Sequence, residues 1–167
     1  MKKLITGVAV VFGLIFPSTF TIAAPPDDTF AVGLPTDTIG LEPAQISSRH
    51  TANIMKHIFG QLYSVSETGS IDPNLAESYK ISDDGKEYTF TLKEGLTCHD
   101  GEALTAEDAA YSFNRVANED LAFTGNSAGF VYKSIDFKEA RADSEREVTI
   151  VLGGPNHIAL GLIAEVY

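Results

Sequence analysis

Between Glu87 and Lys93 apolar and polar side chains alternate, so that Tyr88, Phe90 and Leu92 fall on one face and Thr89, Thr91 and Lys93 on the other. A period of two is that of a strand with one face on a core and the other toward water. Ser78 to Ile81 alternates in the same way upstream, and Ser82-Asp83-Asp84-Gly85-Lys86 separates the two runs. Asp-Asp-Gly tolerates the positive φ of a tight reversal, so this segment predicts an antiparallel hairpin. After a second turn at His99-Asp100-Gly101-Glu102 the period changes, and Ala106, Ala109, Ala110, Phe113 and Val116 recur at spacings of three and four. That is the apolar stripe of a helix, and it leaves Glu107, Asp108, Asn114 and Arg115 to face water. Thr105 precedes the stripe as a hydroxyl N-cap, three residues before the Asp108 carboxylate that can reach back to it.

The same reading extends in both directions. Thr29 to Leu34 is strand-like and ends in a loop through Gly33-Leu34-Pro35-Thr36-Asp37 to Leu41-Glu42-Pro43. From Ser48 to Tyr63 the residues Ala52, Ile54, Met55, Ile58, Phe59 and Leu62 make a broad apolar stripe, predicting a helix that Ser47 or Ser48 can cap. Ala117 to Tyr132 is polar and rich in Gly, Asn and Ser, a long connection of the kind that carries function in small domains. Ser134 to Ala140 and Glu147 to Leu152 alternate again around Asp143-Ser144-Glu145 and predict a second hairpin. Asn156 can cap a final apolar helix from Ile158 to Val166. No Gly or basic residue closes that helix at Tyr167, so it is expected to continue beyond the sequence. Were Tyr167 the end, Phe30, Val32 and the apolar faces of the two hairpins would be expected to lack partners and the strand edges to favour aggregation.

Composition adds a compartment. Met1-Lys2-Lys3, the apolar run from Leu4 to Phe16 and the small polar stretch to Ala24 have the three parts of a secretory signal peptide, too short for a comfortable membrane span. Cleavage after Ala23 is expected, with export to a periplasm, and no Cys follows the run to carry a lipid. The net charge is −11, and losing Lys2 and Lys3 with the signal takes the mature chain to −13. Nucleic-acid binding needs clustered Lys and Arg that this chain does not have. Cys98 is the single cysteine, which excludes a disulfide framework and a thiolate cluster. His50 and His57 are seven apart on the expected helix, the wrong interval for a shared metal, and read as surface histidines. Cys98, His99 and Asp100 invite a hydrolytic reading, but sequential neighbours rarely face one another, no Gly-x-Ser-x-Gly elbow occurs, and a turn accounts for the three.

A run of fixed positions carries a more specific signal. Leu75-Ala76-Glu77-Ser78-Tyr79, Ile81-Ser82, Asp84-Gly85, Tyr88, Phe90, Leu92 and Gly95 are followed by His99-Asp100-Gly101, Leu104, Thr105-Ala106-Glu107-Asp108 and Ser112-Phe113. This order resembles the hallmark of the extracytoplasmic solute-binding proteins, family 5, which serve oligopeptide, dipeptide and nickel ABC importers. Two positions depart from that pattern: Cys98 where an aromatic usually stands, and Glu42 where the loop usually reads Leu-Asp-Pro. The resemblance implies a mixed α/β fold, a partial lobe of the type II periplasmic-binding-protein kind with antiparallel hairpins and about three helices. It implies residues 1–23 as signal peptide and 24–167 as the N-terminal part of a first lobe, truncated at the C-terminus. The implied function is capture of a peptide or other small solute for an inner-membrane ABC permease by a monomer, with no cofactor, no metal and no bond made or broken. A nickel or haem ligand within the same family, or a fragment without a transport role, are the alternatives. Thr36 and Asp37 at the first strand-to-loop junction, and Asn126, Ser127 and Phe130 in the long connection, are the implied ligand contacts, with Tyr132 as the alternative to Phe130 for stacking. Asp37 and Thr38 also suit plain turn hydrogen bonds.

Overall fold

In the computed structural model, which describes residues 29, 31–38 and 40–167, the alternating runs pair as their periods require. The strands in chain order are β1 (Tyr63–Val65), β2 (Ile71–Pro73), β3 (Ala76–Ile81), β4 (Glu87–Leu92), β5 (Phe137–Ala142) and β6 (Glu147–Leu152). The helices are α1 (Arg49–Met55), α2 (Ala106–Ala117), α3 (Tyr132–Ser134) and α4 (Ala159–Ile163). Every one of these elements belongs to the compact unit Leu34–Tyr167. The expected signal segment lies outside the described residues.

β1 and β2 make a small antiparallel ribbon, and the other four strands form one antiparallel sheet in the order β3-β4-β6-β5. Both expected hairpins are present. They join along β4 and β6, where Tyr88 lies opposite Ile150 and Phe90 opposite Val148. Gly85 turns the first hairpin at φ +70°, the left-handed conformation that the Asp-Asp-Gly sequence was suited to supply. The apolar faces do not lack partners: Tyr88, Phe90, Leu92, Val148, Ile150 and Leu152 are buried in one cluster with Phe113 and Val116 of α2, Val131, Tyr132, Ile135 and Ile163. Phe113 stacks on Tyr132 and Phe137 at ring-centroid distances of 6.4 and 6.5 Å. Each such side chain, fully buried, contributes about 1.5–3 kcal/mol. The cluster therefore closes the hairpin faces from within Leu34–Tyr167, against the expectation for them, while Val32 is exposed as expected and Phe30 lies outside the described residues.

Several boundaries differ from the sequence pattern. The helix expected over Ser48–Tyr63 ends at Met55, where the ladder tightens as His57 N–H and Ile58 N–H bond back only three residues to Ile54 O and Met55 O, and Gly60 disfavours its resumption. A glycine inside a helix costs about 1 kcal/mol relative to alanine. His57 consequently leaves the helix that holds His50, and Tyr63 enters β1. Ser48 stands at the N-cap without a side-chain bond. Thr29–Leu34 has no strand among its described residues, and Ile71–Asn74, read as a lead-in, supplies β2 against β1. β5 begins at Phe137, since Asp136 turns the chain at φ +51° after α3. α4 is five residues long, and Asn156 caps its approach by accepting the Ile158 N–H at 3.0 Å.

α2 agrees in detail. The Thr105 hydroxyl accepts from Asp108 N–H, and the Asp108 carboxylate accepts from Thr105 N–H at 2.8 Å, completing the capping box. On the far side of the sheet a polar row replaces a second core. Arg141 forms a bidentate pair with Glu87 and a further ion pair with Asp143, while Thr149, which is fully buried, bonds Thr89 and Asp143.

Candidate functional site

The long connection after α2 is not free chain. Glu119–Leu121 is a short 3₁₀ turn, Ala122 reverses the backbone at φ 49°, and Ser127–Val131 is a π-helical turn running directly into α3. A π-turn widens the backbone and is frequent at functional sites. Opposite it lies the loop that begins at Glu42. There Pro43–Gln45 makes a 3₁₀ turn, with Pro43 in the first position and the Glu42 carboxylate accepting the Ala44 N–H at 3.0 Å.

The two segments are sewn together. Asn126 N–H donates to Ile46 O at 2.7 Å, and Gln45 Oε1 accepts from both Thr124 N–H (3.1 Å) and Thr124 Oγ1 (3.2 Å). Gly125 passes so close that a Cβ there would stand 2.3 Å from Ala44 O and 2.6 Å from Gln45 Cα, so only glycine fits. Arg115 of α2 reaches both sides. Its guanidinium donates to Glu42 Oε1 at 2.9 Å and Oε2 at 2.5 Å, and its Cζ lies 4.8 Å from the centroid of the Phe123 ring. The hydrogen bonds from Arg115 hold the Glu42 carboxyl below its usual range, and the same carboxylate raises Arg115. Burial pushes the Tyr132 phenol, which donates to Phe113 O at 3.0 Å, above its ordinary value.

On this frame Asn126 is exposed, Ser127 is buried in the π-turn and Phe130 is 56% exposed. Thr36 and Asp37 are exposed in their loop, and among the described residues no hydrogen bond joins them to Asn126, Ser127 or Phe130. The structure thus brings three of the five sequence-predicted residues onto one turn and leaves the other two on a separate stretch that precedes Glu42. Arg115, Gln45 and Phe123 went unseen in the sequence, where Arg115 read as a water-facing helix residue. Nothing local marks a pair whose members are 73 residues apart.

A cleft of about 500 Å³ opens beside the clamp, lined by Leu41, Phe59, Leu62, Leu75, Leu104, Tyr111 and Tyr167 with Glu42 and Arg115 at its polar edge. That volume is in the range of small-molecule pockets, and its walls are predominantly apolar. Cys98, which stands where the resembled pattern has an aromatic, is partly exposed and lines this cleft. His99-Asp100-Gly101 is a turn: Gly101 N–H bonds Cys98 O at 3.0 Å, Asp100 Oδ1 accepts the Glu102 N–H, and Gly101 sits at φ +91°. Among the described residues no group of three His, Cys, Asp or Glu is placed to hold a metal. No helix among them is long and apolar enough to cross a membrane.

Comparison with known proteins gives this arrangement a context. The family model described as "Bacterial extracellular solute-binding proteins, family 5 Middle" matches residues 70–167. The dipeptide-binding protein of Lactococcus lactis subsp. cremoris is 27% identical over 145 residues, which are 79% of this chain and 26% of that protein. The ABC transporter substrate binding protein CtaP from Listeria monocytogenes superposes with a TM-score of 0.63 at 28% identity, over 75% of this chain and 25% of the other. NikZ from Campylobacter jejuni, solved in complex with Ni(L-His), gives a TM-score of 0.65 at 26% identity, over 78% and 25%. This chain spans about a quarter of the length of the curated relatives it matches. The mixed α/β architecture with antiparallel sheets is that of part of a type II periplasmic binding protein. The family match covers more than half of the chain and takes in the four-stranded sheet, α2 and the turn bearing Asn126 and Phe130, so the chain belongs to family 5 of the bacterial extracellular solute-binding proteins.

Proposed function

We propose that this chain takes part in periplasmic capture of a solute, a peptide in the first instance, for uptake through an inner-membrane ABC permease. The observation that supports this reading most is the family match over residues 70–167, together with a fold shared over 75% of the chain with a solved ABC transporter substrate binding protein. Capture requires no bond chemistry. Affinity comes from hydrogen bonding and apolar burial in a cleft, and closure of one lobe on another releases the loaded form to the permease.

In this reading Thr36, Asp37, Asn126, Ser127 and Phe130 form the part of the contact set contributed by this chain. Asn126 offers an amide to a peptide backbone and Phe130 an aromatic face, while Ser127 holds the turn on which both stand. Residues 1–23 direct export and are removed, and the mature protein works as a monomer. The test is isothermal titration of protein recovered from the periplasm with tri-alanine and with a mixed tripeptide pool, its intact mass being measured first. Saturable binding that weakens at least severalfold in Asn126→Ala and Phe130→Ala is the expected result. Folded protein that takes up no heat with either probe would overturn it.

A further inference from the structure

The five proposed contact residues sit on two segments that are far apart in sequence, and a rigid frame has to hold those segments if they are to meet one solute. Among the described residues Arg115, standing on α2 outside both, engages each of them. Arg115 grips the first segment through the bidentate pair with Glu42, and the second through a cation–π contact with Phe123, three residues before Asn126. Glu42 is itself fixed, because the oxygen that accepts from Arg115 also caps the Ala44 N–H. Downstream of these two contacts lie the Gln45–Thr124 bonds, the Asn126–Ile46 bond and the Gly125 approach, all of which demand that the segments keep one register.

We infer that Arg115 is the positioning residue of the solute site: it clamps the Glu42 loop to the Phe123–Phe130 segment and so pre-orders Asn126 and Phe130. This rests on the proposed solute-binding reading, but the clamp has a consequence in the empty protein as well. Planarity carries the specificity. Guanidinium can bond both carboxylate oxygens and lie flat on an aromatic ring at once, whereas the ammonium of lysine is a point charge that can do only one of these well. A role confined to global stability would be different in kind, since the pair is about one-third exposed and exposed ion pairs contribute little to overall folding.

Two readouts separate these possibilities. Amide hydrogen exchange on the ligand-free chain compares Thr124 and Asn126 with Phe90 and Val148 in the sheet, in wild type, Arg115→Lys, Arg115→Ala and Glu42→Gln. Exchange at Thr124 and Asn126 should quicken about tenfold in Arg115→Ala and by an intermediate factor in Arg115→Lys, as befits loss of a bidentate pair and a cation–π contact, while the sheet amides stay at wild-type rates. Tri-alanine titration should then show affinity falling in the same order, Lys less than Ala, at unchanged unfolding midpoint. Unchanged exchange at Thr124 and Asn126, or acceleration spread equally over the sheet, would overturn the clamp. If wild type binds no peptide while the exchange pattern appears as expected, the solute reading fails and the clamp stands.

Discussion

Asn114 projects from α2 onto the outer strand of the sheet and replaces a missing neighbour. Its Nδ2 donates to Ala140 O at 2.6 Å and its Oδ1 accepts Ala140 N–H at 2.8 Å, the two bonds that a further strand would make with β5. Ala140 is 5% exposed, so both of its peptide groups are largely cut off from water. In Asn114→Ala the two net contributions, about 0.5–1.5 kcal/mol each, are lost, and any group left dry adds a desolvation cost of about 1–3 kcal/mol. Asn114 itself is exposed, so water can enter part of the vacated space. The expected loss is therefore about 2 kcal/mol, in the middle of that range. Asn114→Asp tests the geometry separately: the acceptor for Ala140 N–H survives, but the carboxylate faces Ala140 O with no proton to give. It should cost at least as much as Ala at neutral pH and recover part of the loss as the carboxyl protonates at low pH. Urea unfolding followed by circular dichroism gives the numbers, with an unchanged denaturant slope showing that only stability has moved. A midpoint for Asn114→Ala within about 0.5 kcal/mol of wild type would refute the reasoning, since water would then be an adequate replacement for the amide. The unblocked edge should also make the variant more prone to associate through β5.

The capping box predicts a pH dependence. Backbone and hydroxyl donation from Thr105 holds the Asp108 carboxyl below its usual range in the folded chain. A folded value below the unfolded one means that the stabilisation is complete above the unfolded value, about 3.9, and is lost as pH falls through the folded value. Urea midpoints of wild type and Asp108→Asn should therefore differ at neutral pH and converge below about pH 4, and Thr105→Ala should cost about 1 kcal/mol at neutral pH. Gly125→Ala should lose about 1–3 kcal/mol through the overlap with Ala44 O, measured the same way, and should speed exchange at the Asn126 amide as well.

The hairpins and α2 were legible because their signals are local. Alternation at Tyr88, Phe90 and Leu92, the Asp-Asp-Gly turn and the Thr105–Asp108 spacing each act within a few residues, and the fixed positions from Leu75 to Phe113 placed the chain in its family. The helix at Ser48 was overextended because its apolar stripe continues past Gly60. Leu62 and Tyr63 are buried from a loop and a strand instead, and burial has no period of its own. The connection after α2 read as a polar loop because a π-turn needs no apolar repeat, only neighbours that satisfy its backbone.

Sequence by itself determined which faces must be buried, where the chain must turn and which family the pattern resembles, since backbone sterics and side-chain periodicity act over short range. Tertiary structure alone decided that β4 would pair with β6, that Asn114 would close the sheet at β5, and that Arg115 would join Glu42 to Phe123. Those contacts link residues tens of positions apart, and a lone Asn or Arg on a polar helix face looks the same whether it ends in water or against a distant strand. Only the packing of α2 onto the sheet brings such partners within bonding distance.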